Sequence, residues 1–161
     1  MNILVLCTGN SARSILGEAL FNVLGNGRIE AFSAGSHPAG QVNPYACRLL
    51  ESKGFETGRF RSKSWDEFTG VDAPVMDLVI TVCGNAAEET CPVWMGAPIR
   101  VHWGFPDPAA AVGTDDEIMA AFEDTFTGLK RNIEAFMAID FDAATAVDIK
   151  LALIDIHKRR Q

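Results

Sequence analysis

At 161 residues the chain is one domain's worth, long enough to bury a single sizeable core. Its 48% hydrophobic and 22% charged residues suit a globular protein, and no apolar run approaches the ~20 residues of a membrane span. A net charge of −7 argues against general nucleic-acid binding, which wants a basic face. Residues 2–7 form a short apolar run that predicts a buried parallel strand. The start of the chain lacks a basic n-region and a cleavage site, so no signal peptide is expected and the cytoplasm is the expected compartment.

Apolar residues at 15, 16, 19, 20, 23 and 24 predict a helix over Ser14–Leu24, ended by Gly25 or Gly27. Ile29–Ala34 reads as a second strand. Asn43-Pro44 opens a helix to Gly54, with Asn as N-cap and Pro at the first position. Met76–Cys83 is a third strand, Asn85–Thr90 a turn or two of helix stopped by Pro92, and Pro98–Trp103 a fourth strand. A long helix spans about Thr114–Ala138, with Thr114 as N-cap and Asp115, Asp116 and Glu117 at its positive end. Asp142–Lys158 predicts a last helix, its negative end complemented by Lys158, Arg159 and Arg160. Strands alternating with helices imply one α/β domain over residues 1–161: a four-stranded parallel sheet with helices on both faces.

The four cysteines stand at 7, 47, 83 and 91. A cytoplasmic protein is not expected to use them as structural bridges. No Cys-x2-Cys pair occurs and His37, His102 and His157 are scattered, which argues against zinc. Catalytic or redox use is the remaining option. Cys7 begins the loop after the first strand, where ligands of open α/β sheets bind. The loop reads Cys7, Thr8, Gly9, Asn10, Ser11, Ala12, Arg13, Ser14, and then a helix starts. Its backbone N–H groups and the helix N-terminus make an anion-binding nest. Gly9 permits close backbone approach, and Asn10 tolerates the left-handed conformation such a loop needs. Arg13 can grip two oxygens with its planar fork. The same field favours a thiolate at Cys7, and Ser14 can donate to that sulfur and stabilise it as a leaving group. A nucleotide P-loop and an NAD fingerprint are both absent.

Cys-x5-Arg-Ser after a first strand resembles the low-molecular-weight protein tyrosine phosphatases, and more closely their relatives, the phosphatase-like arsenate reductases. Residues 7–14, Ser33-Ala34-Gly35-Ser36, Val79-Ile80-Thr81-Val82-Cys83 and His102-Trp103-Gly104-Phe105-Pro106-Asp107-Pro108 carry the likeness. It covers about residues 2–110. The resemblance implies that arsenate binds at residues Thr8–Arg13, with phosphate and sulfate as competing anions. It makes Cys7 the nucleophile and Asp107, on a loop at a strand's carboxyl end, the proton donor for the leaving oxygen. Tyrosine phosphatases of this type usually follow that acid with aromatic residues that shape a phenol slot. Here Ala109, Ala110, Ala111 and Val112 follow, which weakens the phosphotyrosine alternative.

A helix of two turns between Cys83 and Cys91 keeps them too far apart for a disulfide, so a bond between them requires that helix to unravel. Gly84, Ala86 and Ala87 make unravelling cheap. The resemblance implies a relay in which Cys83 attacks Cys7 and Cys91 resolves the disulfide for thioredoxin or another thiol reductant. It also implies a structural potassium ion at Asn10, Glu18, Ser33 and Asp66, with no other cofactor; Trp65 is an extra residue beside Asp66. Cys47, His102 and Trp103 read as packing residues. The rivals are a phosphatase working through a Cys7 phosphoenzyme and a non-enzymatic anion-binding or redox-sensing module.

Overall fold

The computed structural model describes residues 1–159; Arg160, at the end of the expected basic turn, lies outside them. Four strands, β1 (Asn2–Cys7), β2 (Glu30–Gly35), β3 (Leu78–Thr81) and β4 (Ile99–His102), form one parallel sheet in the order β2-β1-β3-β4. Five α-helices connect or follow them: α1 (Arg13–Gly25), α2 (Pro44–Ser52), α3 (Gly84–Glu88), α4 (Asp115–Met137) and α5 (Ala146–Lys158). β1 is central and almost wholly buried, as its unbroken apolar run requires.

Alternation along β1 divides the core. Ile3 and Val5 face the layer made by α1, α2, α4 and α5, together with Phe21, Phe122, Ile133 and Leu153. Leu4 and Leu6 face the other side, covered by Phe68 of a 3₁₀ turn (Trp65–Phe68) and by Trp94. The two faces are thus covered unequally, the first by α-helices and the second by the 3₁₀ turn and the loop that carries Trp94. At ~1.5–3 kcal/mol per large apolar side chain, the first layer supplies most of the stabilisation.

The caps explain where the helices begin and end. Asn43 accepts from Tyr45 N–H with Pro44 at the first position, and Thr114 with Glu117 makes a capping box, both as expected. α1 ends at Asn26, which takes the left-handed conformation (φ 47°) expected of Gly25 or Gly27. α2 stops at Ser52, with Gly54 (φ +84°) just beyond it. α5 starts at Ala146 rather than Asp142. Asp140 holds the amides of Asp142 and Ala143 in a turn, and Thr145 with Asp148 forms a second capping box. His157 and Lys158 occupy its last turn, where the Lys158 ammonium complements the helix dipole. Among the described residues no helix is long and apolar enough to cross a membrane.

Candidate active site

The loop between β1 and α1 is held from outside by five hydrogen bonds. His37 N–H donates to Thr8 O, Ala39 N–H and Ser62 Oγ donate to Gly9 O, Asn43 N–H donates to Ser11 O, and Lys63 N–H donates to Asn10 Oδ1. The carbonyls are thereby used outward, which leaves the inner side of the loop to its amides. Asn10 takes the left-handed conformation (φ 44°), as expected. Gly9 does not: a Cβ there would make only ordinary contacts with Ser11 and Ala39, so the surrounding protein places no demand for glycine. The demand falls on Gly35 of β2, where a Cβ would come 2.3 Å from Thr8 O.

Cys7 is buried at the base of the loop. Its Sγ accepts from Asn10 N–H (3.2 Å) and lies 3.0 Å from Ser14 Oγ. Asn10 Nδ2 donates to Ser14 Oγ (2.8 Å), which turns the serine's own hydrogen toward the sulfur. Negative charge on Cys7 therefore meets two donors and the start of α1. No side chain caps α1, because Ala12 holds the N-cap position, so its first amides remain open to an anion. Asn10 itself departs from expectation. Its amide is committed to Cys7 Sγ, and it does not line the cavity with the other loop residues.

That cavity, about 380 Å³, is lined by Cys7, Thr8, Gly9, Ser11, Ala12 and Arg13 on one side and by Cys83, Gly84, Asn85, Asp107 and Ala109 on the other. Arg13, nearly buried, donates to Phe105 O (3.0 Å) and pairs with Asp107 Oδ1 (3.4 Å). Asp107 also accepts from Ala109 N–H, capping a 3₁₀ turn (Pro108–Ala110). Among the described residues no aromatic ring lines the cavity.

Cys83 and Cys91 are both free thiols, as are Cys7 and Cys47. Cys83 is buried at the cavity wall, 3.5 Å from Thr8 Oγ1, and its sulfur is also the N-cap of α3, accepting from Ala86 N–H (3.4 Å). Cys91 lies elsewhere, in a second cavity with Thr81, Ala86, Glu89 and Arg100, half-buried against the cluster of Leu4 and Trp94. Burial pushes its thiol up, Glu89 adds to the rise, and Arg100 opposes it.

The sequence profile described as low molecular weight phosphotyrosine protein phosphatase matches residues 2–149. The chain belongs to that family. Among its relatives, arsenate reductase from Halalkalibacterium halodurans is 37% identical over 134 residues, 83% of this chain and 93% of that protein. Arsenate reductase from Bacillus subtilis is 37% identical over 121 residues, 75% of this chain and 84% of that one. A solved structure described as an arsenate reductase in the phosphate binding state superposes with a TM-score of 0.64 at 25% identity, over 85% of this chain and 96% of the other.

The potassium site that the family resemblance implies is not assembled here. Asn10, Glu18 and Ser33 are all buried, but Asp66 is exposed at the first 3₁₀ turn. Ser33 Oγ donates to Glu18 Oε2, and Asn10 Oδ1 is taken by Lys63 N–H. Lys63, itself buried, brings its ammonium to 3.7 Å from Glu18 Oε2. The carboxylate already has its counter-charge, and this donor set does not fit a potassium ion. Two packing expectations also need correction. Cys47 is half-buried rather than in the core, because α2 turns that side outward. His102 is exposed and bonded to Thr81 Oγ1 (2.8 Å), whereas Trp103 is fully buried.

Sequence reasoning misses Ser62 and Lys63, and it names Gly35 and Phe105 within motifs without giving them a role. Of these, only the glycine beside Ser33-Ala34 carries a local signal.

Proposed function

We propose that the protein reduces arsenate to arsenite in the cytoplasm, with Cys7 as nucleophile and electrons supplied by a dithiol reductant of the thioredoxin type. The observation that carries the reading is Cys83 on the wall of the Cys7 cavity: a second thiol where a phosphatase has no use for one. The 37% identity to arsenate reductases supports it, as does an acid loop that offers Ala109, not a ring, to the cavity. Phosphate and sulfate, of the same tetrahedral shape, compete for the loop.

The proposed steps are these. Arsenate binds to the loop amides and Arg13, displacing Asp107 from its ion pair. Cys7 thiolate attacks arsenic, and an oxygen leaves as water with a proton from Asp107, giving a Cys7–S–As(V) adduct. Cys83 thiolate attacks the Cys7 sulfur. The S–As bond breaks, its electron pair passes to arsenic, and arsenite leaves as the Cys7–Cys83 disulfide forms. Cys91 thiolate then attacks Cys83 and releases Cys7 as thiolate. The external dithiol reduces Cys83–Cys91 and is itself oxidised to a disulfide.

Arsenite release by reduced protein, with mass mapping of disulfides after one turnover, tests this. Wild type is expected to give one arsenite and a Cys83–Cys91 bond, and Cys91→Ser one arsenite and a Cys7–Cys83 bond. Hydrolysis of p-nitrophenyl phosphate without any arsenite would place the protein among the phosphatases instead.

A further inference from the structure

The family match ends at residue 149, in the first turn of α5, so most of that helix lies beyond it. α5 nevertheless reaches the site. It packs on β4 and α4, and Leu153 O accepts from Trp103 Nε1 (2.9 Å), pinning the helix beside the strand that leads into the acid loop. Near its end, the His157 ring lies against the Phe105 ring (centroids 5.5 Å, planes at 59°), and His157 Nδ1 accepts from Asn132 Nδ2 of α4 (3.2 Å). Phe105 also rests on Gly128 of α4, where a Cβ would come 2.6 Å from the ring. Phe105 is therefore held by contacts from two helices, α4 and α5. Its carbonyl is the acceptor that anchors Arg13, and two residues later the chain presents Asp107 to the same guanidinium.

We propose that α5 belongs to the catalytic apparatus: His157, seated against Phe105, is a positioning residue that holds the acid loop, and through it Arg13 and Asp107, over Cys7. Resting on the arsenate reading above, this adds a control point more than forty residues beyond the acid loop. His157 does not line the Cys7 cavity; it acts through Phe105 and the adjoining Gly104 backbone. A loop displaced by an ångström is enough to slow a positioned proton transfer by roughly 10²-fold.

The test is a double-mutant cycle on the full chain, read as single-turnover arsenite release well below the thermal midpoint. Asp107→Asn removes the proton donor and is expected to slow release by about 10²–10⁴-fold. His157→Ala is expected to slow it by roughly 10–100-fold in the wild-type background and by clearly less in Asp107→Asn, where only its hold on Arg13 is left to lose. His157→Phe, which keeps a ring against Phe105, should recover most of the rate. A wild-type rate in His157→Ala, even with a lowered thermal midpoint, overturns the proposal. So does an equal loss in both backgrounds. If the wild type releases no arsenite, the substrate reading fails on its own. The strut is then judged by phosphate protection of Cys7 against iodoacetamide: a several-fold higher phosphate requirement in His157→Ala supports it, and an unchanged requirement overturns it.

Discussion

Lys63 shows how much one buried side chain settles. Burial favours its neutral form, and the Glu18 carboxylate acts against that, holding the charge. With both side chains about nine-tenths buried, removing one partner leaves a buried charge uncompensated, a change that costs ~3–5 kcal/mol. Lys63→Met is therefore expected to lower the denaturation midpoint strongly and to open room for a monovalent cation among Asn10, Glu18 and Ser33. The wild type, carrying its own ammonium, should show equal stability in potassium, sodium and choline chloride at matched ionic strength. A thermal midpoint of the wild type that rises in potassium alone would sink the assignment. The same loop shows what is legible at this scale. Cys7, Asn10, Arg13 and Ser14 can be read because their chemistry is contiguous. Lys63 and Ser62 cannot, because they act from more than fifty residues away, Ser62 on the Gly9 carbonyl and Lys63 through its backbone amide.

At the scale of elements, α3 joins the two halves of the thiol chemistry. It is five residues long, below what stands alone in water, and its N-cap is the sulfur of Cys83. The thiol that attacks Cys7 is thus also the group that holds the start of the helix. Once Cys83 enters a disulfide, it ceases to be an anionic or polarised acceptor for Ala86 N–H, and the helix loses its cap as the relay needs it to unwind. Hydrogen exchange of residues 84–90 is expected to be faster in Cys91→Ser trapped as the Cys7–Cys83 disulfide than in reduced protein, and faster still in oxidised wild type. Equal exchange in reduced and trapped forms would remove the cap from the mechanism. The Cys83–Cys91 spacing already suggests that a helix must open, although the expected two turns are in fact a single five-residue stretch, Gly84–Glu88. That the attacking thiol is the cap is invisible in sequence, where Cys is no recognised capping residue. The expected α5 start at Asp142 fails for a related reason. The apolar rhythm runs through residues 139–156, whereas the boundary is decided by Asp140 and by the Thr145–Asp148 box.

For the whole molecule, the pairing of α5 with the acid loop makes stability depend on pH in a definite direction. Burial pushes the His157 imidazole below its ordinary value of 6.5, and the neighbouring His102 on β4 lowers it further. A hydrogen bond to the Gly104 backbone works the other way. Asn132, which faces it from α4, does not ionise. The folded state then binds fewer protons here than the unfolded chain. This contribution is complete above the unfolded value near 6.5 and is lost as pH falls through the lower folded value. Carboxylates act in another window. Asp115, held down by Tyr45, and Asp148, held down by Thr145, lose their contributions only below their ordinary value of 3.8. Between pH about 7 and about 5 the imidazole is therefore expected to dominate. The thermal midpoint should fall across that interval in the wild type and stay nearly flat in His157→Phe, which has nothing to protonate at this position. Single-turnover arsenite release should fall over the same interval by more in the wild type than in His157→Phe, since protonation presses α5 away from Phe105. Parallel slopes in the two proteins would mean that the acid sensitivity arises elsewhere, and would separate α5's packing from any hold on the site.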